Sequence, residues 1–185
     1  MFDLAENVAR IHATVPVYEA VTAKSFYAAT RQAMLDNFYY LQEETDTDDV
    51  ERLLSWTRRG LEDCREMIVT RYESGFVREC HGDLYLRNLV RLPSGIVPYD
   101  CIEFSVELRN IDVISDVSFL VMDLGVRGDT QLAYAFIKRC LGCSGDYGGR
   151  RWGGGWGGLL ARMRGVSAAL RARGGVVGAP RLRGG

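Results

Sequence analysis

Apolar residues recur at Leu4, Val8 and Ile11 with the three-to-four-residue step of a helix, and the pattern stops short of Pro16. From about Thr22 to Leu41 the chain carries Phe26, Tyr27, Phe38, Tyr39 and Tyr40 with no glycine or proline, which predicts a buried, aromatic-rich helix. The acidic stretch Glu43-Glu44-Thr45-Asp46-Thr47-Asp48-Asp49 follows. Either threonine can cap the next helix, and the carboxylates suit its positive N-terminal end. Val50, Leu53, Leu54, Leu61, Cys64 and Ile68 then mark one side of a helix that Gly60 weakens without ending. After Gly75 the period shortens. Leu89-Val90-Arg91-Leu92 and Ile96-Val97-Pro98-Tyr99 flank Pro93-Ser94-Gly95, and this grammar predicts a hairpin. Helical spacing returns at Asp112–Leu124 and Thr130–Leu141. The expected class is α+β, mostly helical, with one central hairpin and no internal repeat.

The segment ahead of the hairpin is chemically dense: His81-Gly82-Asp83-Leu84-Tyr85-Leu86-Arg87-Asn88, with Asp100-Cys101-Ile102-Glu103-Phe104 beyond it. Asn88 and Asp100 are equally far from Ser94, so a regular hairpin is expected to return Asp100 to the neighbourhood of Asn88. Two hard oxygen ligands, completed by phosphate and water, suit Mg²⁺ carried in with a nucleotide better than a soft metal. Asp83 can accept or orient a hydroxyl aimed at a γ-phosphorus, since phosphoryl transfer asks mainly for positioning and charge neutralisation.

His81-Gly82-Asp83 with Asn88, and Asp100 after the hairpin, resemble the catalytic loop and metal-binding aspartate of the aminoglycoside phosphotransferase and choline-kinase-like small-molecule kinases, distant relatives of protein kinases. Arg78-Glu79-Cys80-His81-Gly82-Asp83-Leu84, Asp100-Cys101-Ile102-Glu103-Phe104, Arg109-Asn110-Ile111-Asp112-Val113 and Ser115-Asp116 look like the bacterial subgroup often fused to a P-loop ATPase domain. The resemblance runs from about Leu4 to Tyr147. It implies the C-terminal lobe of a protein-kinase-like fold and an ATP-dependent, Mg²⁺-dependent transfer of phosphate to a small-molecule hydroxyl. It further implies Asp83 as catalytic base, His81 as the residue that packs and orients the loop, Asn88 and Asp100 as magnesium ligands, and Asp116 as a buried carboxylate bracing the loop through backbone N–H groups. Tyr85 stands where the subgroup usually has a second histidine. The N-terminal lobe of such kinases has no counterpart here: the two lysines, Lys24 and Lys138, are not in strand-like sequence, and neither G-x-G-x-x-G nor G-x-x-x-x-G-K-[ST] occurs. A missing lobe or a fused P-loop ATPase domain is the expected partner, and the chain alone is expected to bind Mg-ATP weakly.

Charge divides the chain. All 24 acidic residues lie at or before Asp146, where the net charge is −9, while the remainder carries eight arginines and no acid. Thirteen of the 21 glycines fall between Gly148 and Gly185, too many for a packed core. The expected organisation is therefore a kinase-like body over residues 1–147 and a Gly/Arg-rich, unfolded tail over 148–185, with one short helix possible between Leu159 and Leu170. With Trp152 and Trp156, the Arg-Gly-Gly triplets allow flexible nucleic-acid contact. The same composition is what a G·C-rich coding region yields when read out of frame, and Arg181-Leu182-Arg183-Gly184-Gly185 matches the end of ubiquitin only by coincidence. A noncatalytic pseudokinase-like or RNA-contacting module is thus the alternative to the enzyme. The length of 185 residues allows one core. No apolar run of membrane-spanning length occurs, and Asp3 and Glu6 are wrong for a secretion signal, so a cytoplasmic protein with no membrane partner is expected. The five cysteines read as reduced thiols, Cys140-x-x-Cys143 included, and two histidines without paired Cys-x-x-Cys motifs argue against a structural zinc site. His12 reads as a packed or surface residue.

Overall fold

A computed structural model describes residues 2–41 and 47–147. Its elements are α1 (Phe2–Thr14), α2 (Ala23–Leu41), α3 (Thr47–Asp63), α4 (Arg65–Glu73), β1 (Val77–Glu79), a 3₁₀ turn (Leu86–Asn88), β2 (Leu89–Leu92), β3 (Gly95–Pro98), α5 (Val106–Arg109), β4 (Asn110–Asp112), α6 (Val113–Val126) and α7 (Thr130–Ser144). The protein is α+β and mostly helical. Among the described residues, 2–20 and 70–147 belong to one compact unit, and 21–41 and 47–69 to a second. The Gly/Arg-rich segment from 148 and the acidic residues 42–46 lie outside the described residues, and so do the expectations attached to them.

The first unit is organised by α6. Every residue from Val113 to Leu124 except Ser115 is buried, which matches a helix apolar nearly all round. α1 packs on α7 through Leu4, Ala5 and Val8 on one helix and Phe136, Ile137 and Cys140 on the other, all buried. Each such side chain contributes roughly 1.5–3 kcal/mol by leaving water. An exposed Arg139–Glu6 ion pair ties the same two helices.

β1 is the central strand of a small layer. It pairs antiparallel with β4, Arg78 opposite Ile111. On its other edge the residues after α1 add a rung: Tyr18 N–H donates to Val77 O (2.9 Å) and Glu79 N–H to Pro16 O (3.2 Å). β2 and β3 form the expected hairpin, with one correction. Leu92 pairs with Gly95 and Leu89 with Pro98, so the turn is the two residues Pro93-Ser94 and the hairpin is not symmetric about Ser94. Asn88 is consequently bonded to Tyr99, whose N–H donates to its carbonyl (3.0 Å), and Asp100 lies one residue further on.

A buried ion cluster closes this unit. Arg71 Nε and Nη2 donate to the two oxygens of Asp112 (2.5 and 2.8 Å), and Nη1 and Nη2 to those of Asp146 (2.9 and 2.7 Å). Asp112 also caps α6 by accepting from Ile114 N–H (2.9 Å). Burial alone would lower the Arg71 pKa, and the hydrogen bonds it donates to both carboxylates more than reverse that, so it is raised.

In the second unit α2 packs on α3. Tyr27, Phe38, Val50 and Leu61 are buried, and Tyr27 Oη donates to Leu61 O (3.3 Å). The aromatic helix is not buried all round as its composition suggests: Lys24, Ala28 and Gln32 are exposed. The single helix expected across Gly60 is interrupted at Cys64, although Cys64 N–H still donates to Gly60 O and Ile68 N–H to Cys64 O (3.1 and 2.9 Å).

Candidate active site

The loop between β1 and β2 is held at both ends by one helix. At its start Asp116, 1% exposed, accepts Gly82 N–H on Oδ1 (2.9 Å) and His81 N–H on Oδ2 (3.3 Å). At its end Asp123, also buried, accepts Leu86 N–H on Oδ2 (3.0 Å). Asp116 and Asp123 are two helical turns apart on α6 and so share a face. Between these anchors Leu84 is fully buried. Gly82 has a φ of +80°, and a Cβ there would sit 2.8 Å from Leu108 O, so only glycine fits.

His81 joins the loop to the chain beyond the hairpin. Its Nε2 meets Tyr99 O at 2.8 Å and its Nδ1 meets Asp83 N–H at 3.3 Å. A neutral imidazole protonated on Nε2 satisfies both contacts. Its own carbonyl accepts Ile102 N–H (3.0 Å), so main chain and side chain of His81 both fix residues 99–102. Within that segment Asp100 is exposed and has a φ of +60°, a left-handed conformation that aspartate tolerates better than bulkier residues.

Asp83 is only part-buried. Its Oδ2 accepts from the Asn88 amide (2.8 Å) and from Arg87 Nη2 (2.9 Å), and neither bond uses Oδ1. Asn88 is buried and donates to Asp83 O as well (2.8 Å). The hydrogen bond to Asp83 raises the Arg87 pKa, with the charge attraction adding to it. Tyr85 points inward, its ring 5.5 Å from that of Phe119. The structure thus joins His81, Asp83, Asn88 and Asp116 through hydrogen bonds, and Asp100 follows directly on Tyr99, whose N–H donates to Asn88 O. For a cation, the Asn88 amide oxygen and the Asp100 carboxylate are hard oxygen donors of the kind Mg²⁺ takes.

Two contributors escape a local reading. Asp123 had a faint signal, a second carboxylate seven residues after Asp116 in an otherwise apolar run. His12 had none: it is buried, and its Nε2 meets Asp116 Oδ2 at 2.8 Å across 104 residues of sequence. Cys80 is buried beside them and donates to Ile111 O (3.4 Å). Burial first, then the charges of Asp116 and Asp112, push its pKa well up, so it is a thiol and not a thiolate. Cys140 is likewise pushed up to about 12 by burial, whereas Cys143 is exposed.

The chain is 27% identical over 147 residues to uncharacterised proteins of Mycobacterium bovis and of two Mycobacterium tuberculosis strains. The alignment takes in 77% of this chain and 30% of each relative, so the chain spans less than a third of their length. No family model matches the chain, and no solved structure matches it.

Proposed function

We propose that this chain is the catalytic lobe of an ATP-dependent small-molecule kinase that moves the γ-phosphoryl group of Mg-ATP to a substrate hydroxyl. The observation that carries the proposal is the state of Asp83: one oxygen is fixed by Asn88 and Arg87, the other carries neither bond, and the loop bearing it is pinned to α6 at both ends. Such a carboxylate is preorganised to take the proton of an incoming hydroxyl as its oxygen attacks phosphorus and the bond to ADP breaks. Asn88 holds Asp83 through its amide nitrogen and offers its amide oxygen, and Asp100 offers a carboxylate one residue past the Tyr99–Asn88 contact. Bound magnesium supplies charge neutralisation at the phosphates. His81 keeps the Asp100 segment in register with the loop. Lys24 lies in α2 and Lys138 in α7, so the lysine that pairs with phosphate in such kinases has no strand-borne counterpart among the described residues. Weak nucleotide binding by this chain follows.

Paramagnetic broadening suits a weak complex. Titrated with Mn-ATP, the chain is expected to lose the amide signals of Asp83, Asn88 and Asp100 first, and the Asp100→Asn variant to retain them at the same concentration. Broadening that maps elsewhere, or that is the same in both proteins, removes the kinase reading.

A further inference from the structure

A second cluster of ligating groups lies behind the loop, separate from Asn88 and Asp100. His12 from α1, Cys80 from the end of β1 and Asp116 from α6 each place one ligand atom within 4.8 Å of the others, and all three residues are buried. They line a cavity of about 280 Å³, which also presents Glu79, His81, Cys101 and Arg109 over a floor of Val8, Ile11 and Leu84. The Nε of Arg109 is buried there without a hydrogen-bond partner. The cluster therefore borders open space, mainly apolar in its lining but with the charged Glu79 and Arg109 among its walls.

We propose that His12, Cys80 and Asp116 form a three-ligand site for a thiophilic divalent cation, Zn²⁺ foremost, with the cavity supplying the fourth position as water or an incoming donor. The donor set decides the class of metal. Imidazole nitrogen, thiolate and one carboxylate oxygen match zinc-type coordination and are a poor set for Mg²⁺ or Ca²⁺. The geometry asks for little movement. Tetrahedral coordination at metal–ligand distances of about 2.0–2.3 Å puts ligand atoms roughly 3.3–3.8 Å apart. His12 Nε2 and Asp116 Oδ2 must open slightly from 2.8 Å, while the sulfur closes from at most 4.8 Å. Only one carboxylate oxygen is needed, so Asp116 Oδ1 keeps the Gly82 N–H, while Oδ2 shares its second lone pair with the longer His81 N–H contact (3.3 Å).

The exchange balances. The cation takes the place of the proton between His12 Nε2 and Asp116, that proton passing to Nδ1 of the same neutral imidazole, and the Cys80 thiol gives its proton to solvent as the metal–sulfur bond forms, so one proton leaves per cation. No redox partner is involved. The three ligands come from three elements, so the bound cation cross-links α1, β1 and α6 and stabilises the folded state by mass action. The site uses neither Asp83, Asn88 nor Asp100, and shares with the phosphoryl-transfer loop only its brace, Asp116.

The test uses the full chain, stripped with chelator and titrated with Co²⁺. One equivalent is expected to give tetrahedral absorption bands together with a near-ultraviolet thiolate-to-cobalt charge-transfer band. Zn²⁺ should displace the cobalt and raise the unfolding midpoint, and calorimetry in two buffers of different ionisation enthalpy should report about one proton released per metal. Cys80→Ser should abolish the charge-transfer band, His12→Gln should weaken binding by about 100-fold or more, beyond the 10–100-fold typical of groups outside the ligand set, and Cys143→Ser should change nothing. Absence of the charge-transfer band in the wild-type chain overturns the proposal with no variant required. Substoichiometric binding, or a band that survives Cys80→Ser, marks adventitious metal and overturns it equally.

Discussion

Two buried charge clusters sit in the same unit of this protein and are built on opposite principles. Around Arg71 one cation faces two carboxylates, every guanidinium nitrogen is engaged, and the partners are Asp112, the cap of α6, and Asp146, two residues past α7. Around Asp116 one carboxylate gathers an imidazole and two backbone N–H groups, with a cavity beside it. The first is closed and joins helix ends, so its role is cohesion. The second is open on one side and holds a loop, so its role is placement. A buried ion network stabilises only while complete, and the expectations below separate the two clusters by what each loses when it is broken.

The largest effect is expected at the closed cluster. Arg71→Met strands the buried Asp146 and the part-buried Asp112 and should destabilise the chain by about 3–5 kcal/mol in chemical denaturation. An effect under 1 kcal/mol would show that water reaches Asp112 and Asp146. Asp116→Asn comes next, at about 2–3 kcal/mol, because the loop loses charge-assisted acceptors while the shape is kept. The sharper readout there is local: amide exchange at His81 and Gly82 should accelerate more than exchange in β2 and β3.

Alkali should act at the second cluster, through the buried Cys80 thiol beside Asp116. The folded chain holds the Cys80 proton to a higher pH than the unfolded chain does, burial being the main cause and Asp116 and Asp112 the next. Stability from this group is complete below the ordinary thiol value of about 8.5 and falls as pH rises above it, by roughly 1.4 kcal/mol per unit. Cys80→Ser should remove that part of the slope. Arg71 stays charged throughout, its pKa being raised, so the closed cluster contributes no slope over the same range. The smallest change in stability is expected for Asp83→Asn, within about 0.5 kcal/mol, since the Arg87 side chain that pairs with Asp83 is 69% exposed. The same substitution should abolish phosphoryl transfer in any assembly that supports it, which sets a chemical role apart from both structural ones.

What the sequence makes legible follows the range of each interaction. α1, α6, α7 and the hairpin are visible because periodicity, proline and turn residues act over a few positions. The loop at His81–Asn88 is visible because its residues are contiguous. The β1–β4 pairing joins two three-residue strands more than 30 positions apart, too short for an alternating pattern to register. His12 and Arg71 find their carboxylates across 104, 41 and 75 residues, and no local feature distinguishes them from other charged or polar positions on a helix. The hairpin shows the finer limit. Its existence is plain in the residues, but whether the turn holds two residues or three is settled by pairing, and the difference moves Asp100 by one place relative to Asn88.

The spacing of Asp116 and Asp123 makes α6 a ruler. Seven residues of helix advance about 10.5 Å, and that fixed length sets how far apart Gly82 and Leu86 must be. Four residues extended reach roughly 13–14 Å, so the loop spans that distance with about one residue's length of slack, which is taken up where Tyr85 N–H turns back to Asp83 O. Gly82 cannot be exchanged, and the length is bounded: one residue fewer leaves only about 10–11 Å of extended chain and no turn, and one more would buckle the segment carrying Asp83. The helix therefore stores a measurement, and the loop is cut to it.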